Sequence, residues 1–151
     1  MMLKGIDNRL SAEVLFVLRA MGHGDTLVIC DTNFPADSIA RQSVYGDLLR
    51  MDNLTCGQAV KSILSVLPLD TFVDDFAGRM EMVGDPAMIP PVQAEVQAEI
   101  DAAEGRPRQM TAIERFDFYD RAKDAYAVIQ TGERRFYGCF IFRKGVIPPE
   151  S

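Results

Sequence analysis

The sequence predicts an α/β fold: a single-domain layered fold over residues 1–151, with a central sheet flanked by helices. Three observations carry that expectation. Segments with helical spacing of apolar residues alternate with short, β-branched apolar runs, the order that packs helices onto a sheet. A length of 151 residues fits one domain of about 100–200 residues and leaves no room for two. No internal repeat, low-complexity tract or linker-like stretch interrupts the chain.

The elements follow in order. Ser11 precedes Val14, Leu15, Leu18 and Met21 at helical spacing and suits an N-cap, with Gly22 where a C′ glycine would end the helix. Thr26-Leu27-Val28-Ile29-Cys30 is a continuous apolar run bounded by polar residues, which reads as a buried strand. Asp31-Thr32-Asn33-Phe34-Pro35 is loop chemistry, and Pro35 opens a short helical segment through Ile39. Thr55-x-x-Gln58 matches a capping box, and the helix after it (Ala59, Val60, Ile63, Leu64, Leu67) stops at Pro68. Phe76 to Val83 has partial period-2 character, with Met80 and Met82 on one face and Arg79 and Glu81 on the other. Pro90-Pro91 opens a surface helix docked along Val92, Val96 and Ile100, and Gly105 with Pro107 ends it. Phe118 to Ala125 reads as a further helix. Ala127-Val128-Ile129 and Cys139-Phe140-Ile141-Phe142 read as two strands around the turn Thr131-Gly132-Glu133.

Composition narrows function by exclusion. There are 22 acids against 16 bases, for a formal net charge of −6, and no basic run. That lacks the electrostatic footprint of a nucleic-acid binder and favours a neutral ligand over a phosphorylated one. The single histidine excludes multi-histidine metal sites and leaves one side chain whose unperturbed pKa falls near neutrality. Cys30, Cys56 and Cys139 are odd in number and widely spaced, which speaks against a zinc cluster or a disulfide framework and for a reducing compartment. The apolar run Val14 to Leu18 stops at Arg19, too short for a signal segment or a membrane span, so a cytoplasmic protein is expected. No P-loop, G-x-G-x-x-G after a strand, G-x-S-x-G or H-E-x-x-H is present, and Asp74-Asp75 reads as a solvated turn rather than a metal site. No cofactor or metal is called for.

Three polar clusters remain. Gly22-His23-Gly24-Asp25 leaves an imidazole accessible between two glycines, or forms a solvent-facing helix end. Asp31-Thr32-Asn33-Phe34-Pro35 follows the first strand, where α/β sheets usually bind ligands. Its carboxylate suits orienting a histidine or accepting sugar hydroxyls; the alternative is that Asp31 or Asn33 caps the next helix. The third runs from Glu114 to Ala122 and joins Tyr137-Gly138-Cys139, mixing aromatic faces with charge as a sugar site does, or forming an amphipathic helix with core phenylalanines.

Taken in order, Gly22-His23-Gly24-Asp25, Asp31-x-Asn33-Phe34-Pro35, Arg115-Phe116-x-Phe118-Tyr119-x-Arg121-Ala122, Thr131-Gly132-Glu133, Tyr137-Gly138 and Lys144-Gly145-Val146 resemble the ribose pyranase / L-fucose mutarotase (RbsD/FucU) family, in its fucose-type branch. The resemblance covers nearly the whole chain. It implies a cofactor-independent isomerase that interconverts the α and β anomers of a monosaccharide, L-fucose or a related sugar. It also implies a homo-oligomer, a decameric ring with sites at subunit interfaces. The family's histidine falls on His23 and its loop aspartate on Asp31, both catalytic, with Tyr137 as a second proton relay or hydroxyl anchor. Arg115 and Tyr119 fall on sugar-contacting positions. Asn33 and Cys139 also lie in the binding set, but fucose-type members carry His and Asn there, which bears on the identity of the sugar. The rival reading is a non-catalytic monosaccharide-binding or sugar-transport accessory protein. A structural ring protein is a third.

Overall fold

A computed structural model describes residues 2–150. The elements run α1 (Ala12–Ala20), β1 (Thr26–Cys30), α2 (Ala36–Ala40), β2 (Leu48–Met51), α3 (Cys56–Leu64), β3 (Ala77–Met80), α4 (Pro91–Glu104), β4 (Thr111–Ile113), α5 (Arg115–Lys123), β5 (Ala127–Thr131) and β6 (Cys139–Arg143). The strands form one six-stranded mixed sheet in the order β2-β5-β1-β6-β3-β4. Side chains alternate across it. Leu27, Ile29, Ala127, Ile129, Phe140 and Phe142 pack under α1, α3 and α4. Val28, Cys30, Val128, Cys139 and Ile141 pack with α2 and α5 on the other face. This three-layer α/β arrangement agrees with the expected fold class.

Local signals place the helices. Ser11 accepts from the Val14 N–H, Thr55 and Gln58 form the capping box, and Gly105 ends α4 in the left-handed conformation. Gly22 does stand just past α1, but it is not left-handed; the only nearby positive φ is at Gly24. The helix end is closed instead by the Lys144 ammonium, which donates to the Leu18 and Met21 carbonyls at 2.6 and 2.5 Å. Helices α3 and α5 differ most from the expected bounds. α3 stops at Leu64, and Leu67 packs into the core from the following turn. α5 begins at Arg115 because the Glu114 carboxylate caps the Phe116 and Asp117 amides.

The sheet departs from the sequence reading in three respects. β3 is shorter than Phe76 to Val83, and it is buried throughout, Arg79 included. β2 and β4, the two edges of the sheet, had no sequence signal of their own. β5 and β6 are not neighbours: β1 lies between them, parallel to β5 and antiparallel to β6. The 132–138 segment therefore crosses over the carboxyl end of β1, which sets Glu133 and Gly138 directly above Asp31. Among the described residues, no helix is long and apolar enough to cross a membrane.

Candidate active site

Asp31 anchors the site. It sits one residue past β1 and is 3% exposed. One carboxylate oxygen accepts from the Asn33 and Phe34 amides at 3.0 and 2.9 Å, so the residue does shape the loop that leads into α2. The other accepts from the Gly138 amide at 3.1 Å and the Cys139 thiol at 3.6 Å. Burial pushes the carboxyl above its usual range, and the amide bonds pull it partly back. With a donor at each of its four lone-pair sites, Asp31 holds two loops together before any ligand arrives.

The second loop presents Tyr137, the only non-glycine residue with positive φ (65°) among the described residues. Such a conformation costs about 1–2 kcal/mol for an L-residue and persists where surrounding bonds hold it. The Tyr137 phenol oxygen accepts from the Val83 amide at 3.2 Å. An oxygen already accepting there keeps its own proton available to a ligand. Glu133, buried beneath the loop, accepts from the Cys56 amide and from the Arg135 guanidinium, which also reaches Glu95 on α4. The neighbouring Arg135 holds the Glu133 carboxyl below the usual range, against the opposing effect of burial.

Arg115 and Tyr119 come from the first turns of α5. The Arg115 guanidinium donates to the Tyr119 phenol at 3.1 Å and lies 5.5 Å from that ring's centre. Together with Asp31, Asn33, Tyr137 and Cys139 these residues line one cavity of about 260 Å³, walled by Phe34, Met80, Val83 and Phe136. The volume lies below the roughly 300–1,000 Å³ common for drug-sized ligands and suits a smaller one. Aromatic faces beside hydroxyl, guanidinium and amide groups match a ligand with both C–H patches and hydroxyls. A larger cavity of about 360 Å³ opens at the far end of the sheet, but its Arg121 and Asp75 are already paired to each other at 3.1 Å.

Six of the seven expected site residues thus converge, and His23 does not join them. It lies before β1, whereas Asp31 follows it. At about 3.3 Å per residue the strand separates the two by about 17 Å. The carboxylate that orients the imidazole in this chain is Asp70, not Asp31: Nε2 of His23 lies 3.2 Å from Asp70 Oδ2, and the ring meets Phe72 edge-on at 5.4 Å. Burial would raise the Asp70 carboxyl, but the Phe72 amide and His23 outweigh it and hold the group below its usual range. An ionised Asp70 only accepts, so Nε2 carries the proton, and Nδ1 is left as the available lone pair of the neutral ring. His23 is exposed.

Sequence reasoning missed Gln93, Arg79, Val83 and Asp70. Gln93 sits beside the apolar stripe of α4, where a glutamine reads as solvent-facing, and Asp70 lies in a segment without periodicity. Among the described residues no three His, Cys, Asp or Glu side chains cluster as a metal site.

Comparison with known proteins bears on this arrangement. The model of the RbsD / FucU transport protein family matches residues 4–147. Human fucose mutarotase is 43% identical over 148 residues, spanning 96% of this chain and 94% of its own. A crystal structure of a candidate sugar-binding protein superposes with a TM-score of 0.96 at 62% identity, covering 97% of each chain. The fucose mutarotase of Streptococcus pneumoniae, solved in complex with L-fucose, superposes with a TM-score of 0.86 at 35% identity, covering 97% of this chain and all of its own (100%).

Proposed function

The chain belongs to the RbsD / FucU transport protein family, and from that premise we propose that it is a monosaccharide mutarotase, a carbohydrate isomerase that interconverts the α and β anomers of L-fucose or a closely related sugar. The observation that carries this reading is the cavity, which is small, mixed aromatic and polar, and lined by a phenol whose oxygen already accepts from the Val83 amide.

Anomerisation opens and recloses a hemiacetal. A base takes the proton of the anomeric hydroxyl while an acid protonates the ring oxygen. The C1–C2 bond turns, and the ring closes on the other face with the proton transfers reversed. No electrons leave the sugar, so groups within hydrogen-bond reach suffice, and such catalysis is typically worth about 10²–10⁴-fold. Tyr137 supplies the acid. Arg115 and Tyr119 hold hydroxyls, and Asn33 flanks the entrance. Cys139 directs its thiol to Asp31, so Asp31 and Cys139 shape the floor.

The base is His23, through its Nδ1 lone pair, supplied by a neighbouring copy. Two residues at opposite ends of one strand serve a single site only when one end of a molecule packs on the other end of the next. Repeated head to tail, such a contact is heterologous, and heterologous contacts that close make rings. Phe72 and Val73 beside His23, and Val83, Phe116 and Phe136 near the cavity, are exposed apolar side chains that such packing would cover. A decamer of stacked rings, in the cytoplasm, is the assembly proposed.

Two-dimensional exchange NMR between the anomers of L-fucose, with and without protein, tests the reading, with ribose, galactose and rhamnose alongside. Faster exchange for at least one sugar, lost in His23→Ala, supports it. Calorimetric binding without any gain in exchange would make the chain a sugar-binding protein instead.

A further inference from the structure

We propose that Gln93, locked by Arg79, is a positioning residue for the mutarotase reaction, and that the pair fixes Tyr137 at both its ends. The inference rests on the reading of Tyr137 as the proton donor. Gln93 is the one fully buried amide side chain among the described residues, on the inner face of α4. Its Nε2 donates to the Met80 carbonyl at 2.7 Å and to the Tyr137 carbonyl at 3.1 Å. Its Oε1 accepts from the Arg79 guanidinium at 3.1 Å. A guanidinium can only donate, so Arg79 dictates which end of the amide faces it and turns both N–H bonds toward the two carbonyls. The flipped amide would leave all three partners unsatisfied.

The Tyr137 carbonyl is the backbone group next to the positive φ, so the Gln93 bond clamps the strained residue itself. Arg79 also donates to the Pro86 and Met88 carbonyls, at 3.1 and 3.5 Å. That ties down the segment carrying Val83, whose amide donates to the Tyr137 phenol. One buried pair therefore governs both the backbone and the hydroxyl of Tyr137 while touching neither the cavity nor a ligand.

Gln93→Glu isolates the role, because glutamate keeps the shape and the partner Arg79 but has no N–H to donate. It is compared with Tyr137→Phe and with the double variant, by anomer exchange at saturating and subsaturating sugar. A misplaced reacting group costs up to about 10²-fold, so Gln93→Glu should slow saturated exchange roughly tenfold or more, with the half-saturating sugar concentration little changed. In the Tyr137→Phe background the same change should cost less than about twofold, since a residue acting through Tyr137 has nothing left to position. An equal loss in both backgrounds, or no loss in the first, overturns the proposal. Should Gln93→Glu not fold, Arg79→Lys carries the same comparison, since it keeps a cation without the fork. A readout independent of turnover is deuterium exchange at the Val83 amide, which should quicken at least about tenfold as the phenol moves away. Unchanged protection there refutes the positioning role even in a protein that moves no sugar, whereas a wild type without exchange activity refutes only the mutarotase reading.

Discussion

Asp31→Asn turns one oxygen into an amide with almost no change in volume, at a position 3% exposed. The remaining carbonyl oxygen of the new side chain can still accept from the Asn33 and Phe34 amides. Its NH2 then faces the Gly138 N–H, donor against donor, where the native bond is 3.1 Å. A bond to a charged group contributes about 1.5–3 kcal/mol, and a buried N–H left unpaired costs about 1–3 kcal/mol. Removing a carboxylate that burial disfavours works in the opposite direction. The net expectation is a destabilisation of about 2–4 kcal/mol. At about 2–4 °C per kcal/mol for a chain of this size, the melting temperature falls by about 4–16 °C. Calorimetric melts at matched protein concentration measure it, since assembly shifts the midpoint. Deuterium exchange at Gly138 reports whether that amide is the one released. A melting point within about 1 °C of wild type, with Gly138 equally protected, would refute the view that Asp31 ties the two loops together.

Three further outcomes follow from the same contacts. Arg135 holds the Glu133 carboxyl below the ordinary glutamate value of about 4.3, so the pair's contribution is full above that pH and is lost as the pH falls through the depressed folded value. Melting temperature should then drop less between pH 6 and pH 3 in Glu133→Gln than in wild type, and parallel curves would contradict it. Lys144→Met strips the ammonium from the end of α1 and leaves two carbonyls without it, so urea titration should show a loss of roughly 1–3 kcal/mol; an unchanged midpoint would contradict that. Burial pushes the Cys56 thiol up to about 12 and those of Cys30 and Cys139 well above the ordinary range, so iodoacetamide at pH 8 should label none of the three without denaturant. Labelling of the native protein, read by mass spectrometry, would contradict the buried placement.

Much of the fold was legible because the relevant signals are local. Ser11, the Thr55–Gln58 box and Gly105 are caps that act within one helical turn, and all three appear where their spacing puts them. β1 is buried on both faces, which is why its apolar run is continuous and its bounds are sharp. The edge strands escaped notice because Leu48–Met51 and Thr111–Ile113 are short and half-covered, so neither alternation nor a continuous run develops. The insertion of β1 between β5 and β6 is a long-range choice that no turn sequence encodes.

The site divides along the same line. Residues on one loop or helix turn, such as Asp31 with Asn33 or Arg115 with Tyr119, could be read from spacing. The separation of His23 from Asp31 could not. Eight positions apart suggests proximity in a loop, but five of the intervening residues form an extended strand that carries the two to opposite ends of the sheet. The partner His23 has instead, Asp70, lies 47 positions away, and no local pattern announces it.

That separation makes the central claim testable with two inactive proteins. His23→Ala and Tyr137→Phe, each alone, should exchange L-fucose anomers slowly. Unfolded together in equal amounts and refolded, or co-expressed, they form mixed assemblies in which about a quarter of the sites draw a wild-type histidine from one subunit and a wild-type tyrosine from the next. Anomer exchange, measured by NMR, should recover to about a quarter of the wild-type rate in the mixture. A mixture no faster than its parents, although mass spectrometry shows mixed assemblies, would contradict a site shared between subunits.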